Sequence, residues 1–243
     1  MKKIFYSFIF LMLAFGLGGC QLETSYNSRL SLAIAVISII TILFLALAFN
    51  SNLLREEVSD QDAFAANAKQ QQAAKKWKLP NSKAPFSLTK VQFGIWTVII
   101  SSAYIYLSLC KGDCATGSIN QTALVLMGIF AGTAVASTII DKNEISDNRA
   151  RLQNRPSQGF FVDILSDSNG ISLHRFQNFA WTVIAMVVYL YKLSEITTGC
   201  QLPELSDTLL ALTGISSATY LVMKTKENDP PAQTAAASGT EQS

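Results

Sequence analysis

Long apolar windows alternate with polar segments along most of the 243-residue chain. Five windows have no charge near their centre and are close to the length of about 20 residues that a helix needs to cross a bilayer. They are residues 30–49, 91–109, 121–140, 176–193 and 206–223. Because a backbone in lipid must satisfy its own hydrogen bonds, the pattern predicts five spanning helices.

Two of these windows are copies of one another. Residues 87–109 and 172–194 share Ser-Leu, Gln and Trp-Thr-Val-Ile at a constant separation of 85 positions, which indicates a duplication. The windows that follow them match at a separation of 86 positions. The repeated unit is therefore a two-helix hairpin. An even number of spans per unit gives both copies the same orientation, around a pseudo-two-fold axis along the membrane normal.

The sequence thus predicts an all-α integral membrane bundle, made of a duplicated two-helix hairpin and one further spanning helix. Its segments are a signal- or lipoprotein-like segment at 1–20, the first spanning helix at 21–49, a polar linker at 50–86, hairpin repeat 1 at 87–140, a loop at 141–171, hairpin repeat 2 at 172–224 and a disordered tail at 225–243.

Charge is scarce and unevenly placed. Only 15% of the residues are charged, against about 25% in soluble domains. A net charge of +2, without a basic run interleaved with aromatic residues, does not favour a nucleic acid partner. Lysine and arginine concentrate in residues 50–90, 141–175 and 224–226. The positive-inside rule therefore places these segments and the C-terminus in the cytoplasm. We expect a protein of the bacterial inner membrane, with the lipid bilayer as its first partner.

The N-terminus has the features of a secretion signal. Lys2 and Lys3 precede a short apolar stretch, and Leu17-Gly18-Gly19-Cys20 resembles the lipobox of bacterial lipoproteins. That resemblance implies cleavage before Cys20 and lipidation of its thiol. The alternative is an uncleaved first helix with an incidental cysteine.

All four cysteines fall on the predicted outer side of the membrane, where an oxidising environment permits disulfides. With Cys20 lipidated, Cys110, Cys114 and Cys200 leave one pair and one odd thiol. Cys110 and Cys114 would form a local clip, whereas a bond from either of them to Cys200 would tie the two repeats together. We expect no metal site and no cofactor.

A few polar and aromatic residues recur where the repeated helices enter the membrane. They are Gln92, Trp96 and Thr97 in repeat 1 and Gln177, Trp181 and Thr182 in repeat 2. One interpretation is a tryptophan in the interfacial belt beside a glutamine that hydrogen-bonds a neighbouring helix. The other is that the two glutamines face each other across the pseudo-axis and form a constriction or binding site.

Small residues recur four apart on the second helix of each hairpin. Gly128 and Gly132 form one such pair, and Gly214 and Ala218 form its copy. Small residues allow helix backbones to approach closely in lipid. The motif predicts packing of the second helix against the first within a hairpin, or else packing between subunits.

Two stretches together resemble a known group of proteins. Residues 159–182 and 202–224 are similar to a poorly characterised group of bacterial inner-membrane proteins that carry a repeated Ser-Leu-x-x-x-Gln-x-x-x-Trp-Thr helix and a Gly-Ile-Ser-x-x-Thr-Tyr helix. The resemblance covers the C-terminal two thirds of the chain. It implies an architecture and no particular activity.

The sequence contains no metalloprotease, P-loop or nucleophile-elbow pattern, so we assign no catalytic residues. The leading hypothesis is a non-enzymatic membrane module that self-associates into a pore-like or scaffold assembly and engages a cytoplasmic protein partner. The first alternative is a transporter or permease subunit with a site near Gln92 and Gln177. A further alternative is a membrane enzyme that uses His174 with Asp163 or Asp167.

Overall fold

The computed structural model describes residues 26–74, 83–110, 119–167, 170–197 and 201–228. They form helices and one small strand pair: α1 (Tyr26–Asn50), α2 (Gln61–Ala74), α3 (Leu88–Cys110), α4 (Gln121–Ser146), α5 (Phe160–Leu165), β1 (Ser166–Asp167), β2 (Gly170–Ile171), α6 (Leu173–Glu195) and α7 (Asp207–Lys224). The fold is therefore mostly helical. The antiparallel pair of two-residue strands lies within the predicted loop at 141–171.

Among the described residues, three helices are long and apolar enough to cross a membrane, namely α1, α3 and α4. The predicted spans at 176–193 and 206–223 also fold as helices, α6 and α7. These two are less apolar than the other three: Arg175 and Lys192 lie in α6, and Asp207 and Lys224 lie at the two ends of α7.

Four of the helices form a bundle, and α1 lies outside it. Helix α3 packs on α4, α6 packs on α7, and the two hairpins meet mainly through α4 and α7. Helices α3 and α6 contact each other less extensively, while α1 packs along α3. The two predicted hairpins are therefore present, and each pairs its own two helices.

Both hairpins begin and end at the same end of the bundle. The Glu56 amide donates to the Pro85 carbonyl at 2.9 Å, which joins the end of α1 to the start of α3. Arg175, at the start of α6, pairs with Glu227, just after α7, at 2.6 Å. We call this the polar end, comprising residues 51–60, 83–87, 147–159 and 225–228. Residues 225–228, which the sequence assigned to the tail, form turns packed against this end.

The opposite end is held by helix caps at equivalent positions of the two copies. The Asn120 side chain caps α4 by accepting from the Ala123 amide at 2.9 Å, and Ser206 caps α7 by accepting from the Leu209 amide at 3.3 Å. Each cap satisfies one of the free amides that every helix start presents. The Asn120 amide group also donates to the Leu202 carbonyl at 2.7 Å, which joins one hairpin to the other.

The core of the bundle is aromatic and does not follow the two-fold repeat. Trp96 is fully buried, stacked on Phe130 with its ring centroid 5.6 Å away, and edge-on to Tyr189 at the same separation. The counterpart of Tyr189 in repeat 1 is Tyr104, which is 36% exposed. Tyr189 is therefore used for the core, whereas its copy Tyr104 faces outward.

A glycine explains why α1 packs on α3 and not on α6. A Cβ atom at Gly94 would lie 2.7 Å from Cε2 of Phe44, so the α1 ring occupies the space that a side chain would need. The corresponding position in α6 is Phe179. Its bulk removes the groove, and the duplicated helix therefore has no equivalent seat for a helix like α1.

We predict that Gly94→Ala destabilises the protein. The new methyl group overpacks the contact with Phe44, which costs about 1–3 kcal/mol. This exceeds the gain of about 1 kcal/mol or less from replacing a helical glycine. Unfolding in detergent, followed by tryptophan fluorescence, measures the change. Gly214→Ala is the matched control, because a Cβ there would make only an ordinary contact, 3.6 Å from Cδ1 of Ile129. An equal or higher midpoint for Gly94→Ala than for Gly214→Ala would contradict this packing.

Candidate functional site

Seven buried charged side chains gather in the polar end and in the helix ends next to it. We call them the ionic cluster, and its members are Glu56, Asp141, Glu144, Arg151, Arg175, Lys224 and Glu227. Each side chain is between 0% and 5% exposed. Taking such charges out of water costs several kcal/mol per ion, so their contacts with one another decide whether the arrangement is stable.

Lys224 and Arg151 are the two cations at the centre of the ionic cluster. The Lys224 ammonium lies 3.1 Å from Oδ2 of Asp141, and 2.8 Å from the Ser137 hydroxyl. Its distance to Oε1 of Glu56 is 3.6 Å. Arg151 reaches the other oxygen of Asp141 at 2.5 Å. Asp141 is therefore shared between a lysine and an arginine.

Arg151 has further partners that come from two parts of the chain. Its Nε donates to Oε2 of Glu144 at 3.1 Å, and its Nη1 donates to the Glu57 carbonyl at 2.9 Å. The same Glu144 oxygen accepts from the Asn228 amide at 2.9 Å. The ionic cluster thus links the segment after α1, the end of α4, the loop after α4 and the segment after α7.

The environment of Glu56 favours its charged form. Burial by itself raises the pKa of a carboxyl group, but the Lys224 ammonium and the Ser87 hydroxyl oppose it. Lys90 and Arg175 add smaller attractive contributions. The balance lowers the pKa of Glu56 to about 2. Glu56 is therefore a permanent anion at neutral pH, and a fixed counter-charge for Lys224.

The contacts within the ionic cluster indicate a structural role. Its cations and carboxylates are directed at one another, and Arg151 has no exposed side-chain surface. In some proteins, buried charged pairs of this kind fix the register of the segments that they join. We therefore interpret the ionic cluster as a clamp that holds the polar end in one conformation.

The predicted glutamine pair is not brought together. Gln92 is buried, and its amide donates to the Thr182 hydroxyl at 2.7 Å and to the Asn178 carbonyl at 3.4 Å. Gln177 is exposed on the outer surface of α6. The buried face of α6 carries Asn178 and Thr182, one position along from Gln177 and Trp181. The two repeats therefore turn different faces inward.

The neighbouring predicted residues divide in the same way. Trp96 lies in the core and not in an interfacial belt, because Phe130 and Tyr189 enclose its ring. Trp181 is only half-buried. Thr97 is exposed and donates to the carbonyl of Phe93, four residues earlier in its own helix, at 2.8 Å.

The small-residue motif of repeat 1 is not used inside the chain. Gly128 and Gly132 are exposed, and a Cβ at either position would meet nothing within 4 Å. Packing of α4 on α3 through these glycines, one of the two predicted uses, is therefore not what the structure shows. Gly214 differs, since its Cβ would lie 3.6 Å from Cδ1 of Ile129 on α4. Ala218 is exposed.

Other predicted residues are placed apart or lie outside the described part of the chain. His174 contacts the Ser172 hydroxyl at 2.7 Å through Nδ1. Asp163 accepts from the Phe86 amide, the Ser157 hydroxyl and the Gln158 amide. Cys110 is buried at the end of α3, while Cys20, Cys114 and Cys200 fall outside the described residues. The proposed disulfides and the lipidation of Cys20 therefore remain predictions.

The repeat contained a signal for the ionic cluster that hydropathy alone does not reveal. Lys90 and Arg175 are equivalent bases at the start of the hairpins, and Asp141 and Glu227 are equivalent acids at their ends. In repeat 2 these two positions pair directly. In repeat 1 they do not, because Lys90 donates to the Arg55 carbonyl at 2.7 Å.

The fold and the ionic cluster define a helical protein with three helices able to cross a membrane and a charge-clamped end. Comparison with known proteins adds no relative to this description. No family model matches the chain, and neither a curated protein nor a solved structure matches it significantly.

We predict that Arg151→Met destabilises the protein strongly. Methionine keeps much of the volume but leaves Glu144 without its cation, and removing one partner of a buried pair costs about 3–5 kcal/mol. Lys142→Met is the matched control, because Lys142 pairs with Glu57 on the surface, with 58% and 48% of the side chains exposed. Surface pairs contribute about 0–1 kcal/mol. Denaturant unfolding in detergent measures both values, and similar losses in the two variants would contradict the clamp.

The pH dependence of one variant tests the charge of Glu56. The pKa of Glu56 is about 2 in the folded chain and 4.5 in the unfolded reference. Its ionised form therefore stabilises the fold above about pH 4.5, and this contribution disappears as the pH falls towards 2. We expect Glu56→Gln to lower the unfolding midpoint at pH 7. The difference from the natural chain should shrink steadily below pH 4.5, and a constant difference from pH 7 to pH 2.5 would contradict this assignment.

Proposed function

We propose that this chain is a non-enzymatic multipass protein of the bacterial inner membrane that self-associates through α4. In this proposal all five long helices are embedded in the bilayer, and the polar end and the C-terminus face the cytoplasm. The assembly serves as a scaffold or signalling module, and its polar end engages a protein partner.

One surface of α4 carries the proposal. We call it the α4 outer face, and it consists of Leu124, Gly128, Gly132, Val135 and Ile139. Leu124, Val135 and Ile139 are 69%, 60% and 55% exposed, respectively. The two glycines between them have open space above their Cα atoms. The face is therefore apolar, with a shallow groove where the glycines lie.

The position of this groove favours contact between subunits. Helix α4 already packs against α3 and α7 through its other sides. In lipid, helices associate by close van der Waals packing, and glycines four apart let two backbones approach. Since no helix among the described residues fills the groove, a second copy of α4 is the occupant that matches its shape.

The ionic cluster supports a role for the polar end in engaging a partner. Its contacts hold segments from four parts of the chain in one arrangement, so the polar end presents a fixed surface. The basic residues of the same segments favour a cytoplasmic location by the positive-inside rule. A preorganised surface loses little entropy on binding, which suits a docking platform.

The permease alternative is less well supported by the same geometry. It requires Gln92 and Gln177 to contribute to one pathway. Gln92 instead donates to Thr182 inside the bundle, and Gln177 lies on the outside of α6. The buried polar contacts of Gln92 resemble the hydrogen bonds that hold neighbouring helices together in membranes.

We predict that filling the α4 groove dissociates the assembly. Gly128→Leu with Gly132→Leu places two side chains where the partner backbone would lie. The natural chain should run as a dimer or larger oligomer by light-scattering mass measurement in mild detergent, and the double variant as a monomer. Ala46→Leu adds the same side chain to an exposed position of α1 and should leave the mass unchanged. A monomeric natural chain, or an unchanged oligomer in the double variant, would refute self-association through α4.

A further inference from the structure

A cleft of about 580 Å³ opens at the polar end between α2 and the loop that follows α4. One wall carries the amide side chains of Asn67, Gln70 and Gln71, and the other carries Arg151, Arg155 and Gln158. The remaining lining consists of one leucine and one proline. Its volume lies within the range of small-molecule sites. None of the described residues that line the cleft is a carboxylate, and this charge balance indicates what the cleft can bind.

The cleft has fixed walls, because one asparagine ties α2 to the loop. The carbonyl of Asn154 accepts from the Asn67 amide at 2.7 Å. Its side chain accepts from the Ser59 backbone amide at 3.0 Å and donates to the Ser59 hydroxyl at 3.1 Å. Asn154 is itself buried. The two walls are therefore held at a set distance before any ligand enters.

The two arginines of the cleft differ in their availability. Arg151 is neutralised by Asp141 and Glu144 and belongs to the ionic cluster. Arg155 is half-buried, and within the part of the chain that the structure describes it makes no ion pair or hydrogen bond. It is the cation of the cleft that retains its hydrogen-bonding capacity for a ligand.

Two acids attract the Arg155 guanidinium, but each of them already interacts with other residues. Asp163 and Glu227 both act on it electrostatically. Asp163 accepts three hydrogen bonds, from Phe86, Ser157 and Gln158. Glu227 pairs with Arg175 at 2.6 Å. Neither acid therefore saturates the Arg155 guanidinium, and the cleft keeps an excess of positive charge.

We propose that this cleft binds a phosphate-bearing anion, with Arg155 as its charged anchor and the surrounding amides as neutral donors. The planar guanidinium matches two phosphate oxygens at once, which makes arginine the preferred anchor for this group. Amide side chains donate to the remaining oxygens without repelling them. The phosphate belongs either to an anionic lipid headgroup or to a soluble phosphate ester. This inference does not depend on self-association through α4.

The test uses the full chain in nanodiscs and two forms of phosphate. In neutral phosphatidylcholine discs, sodium pyrophosphate is titrated against sodium chloride at matched ionic strength. In the second arm, phosphatidylglycerol replaces a third of the lipid. The unfolding midpoint, followed by tryptophan fluorescence, should rise in at least one arm. A rise with pyrophosphate alone identifies a soluble ligand, and a rise with phosphatidylglycerol alone identifies a headgroup. A rise in both arms identifies the phosphate group itself.

Three variants assign the effect to the cleft. Arg155→Gln should require at least a tenfold higher anion concentration for the same rise in unfolding midpoint. Arg149→Gln removes an equal charge from the same loop and should respond like the natural chain. Gln70→Glu places a carboxylate on the exposed opposite wall, where it leaves folding intact, and should weaken the response as well. The proposal is overturned if neither arm raises the midpoint of the natural chain. It is also overturned if Gln70→Glu, or a folded Arg155→Gln, responds like the natural chain.

Discussion

The contact between Lys224 and Asp141 is the interaction on which the rest of this structure depends. It joins the last turn of α7 to the C-terminal part of α4. Asp141 also pairs with Arg151, and Lys224 also pairs with Glu56. In lipid the apolar helices gain little from burying one another, since the surrounding tails are equally apolar. We therefore infer that the charges at the polar end determine how the two hairpins are joined. Arg151, which belongs to this arrangement, also lines the cleft beside α2.

The duplication specifies the hairpins but not the way that they are used. Gly94 receives Phe44 from α1, whereas its counterpart Phe179 fills the same place with its own ring. Tyr189 completes the core around Trp96, and its counterpart Tyr104 faces outward. Substitutions at a few positions have thus turned two similar hairpins into an asymmetric bundle, in which one copy carries an extra helix.

The helices themselves could be predicted from the sequence, because uninterrupted apolar windows and their repeat leave few alternatives. The ends were harder to place. Helix α4 continues to Ser146, beyond the predicted residue 140, because Asp141 and Glu144 are paired and can remain in the helix. The burial of Trp96 and the exposure of Gln177 depend on which face each helix turns inward. The inward-facing positions of the two copies differ by one residue. The apolar content of the windows does not reveal this difference.

A double-mutant cycle on Lys224 and Asp141 tests the central role of this contact most directly. The free energy of unfolding in detergent is measured for the natural chain, Lys224→Met, Asp141→Asn and the double variant. If the two charges stabilise each other in the buried cluster, each single variant leaves an unpaired charge and the double variant relieves it. The coupling energy should then be at least about 1 kcal/mol, within the range for residues in one network. Losses that add to within about 0.5 kcal/mol would show that the two residues act independently and would contradict the account.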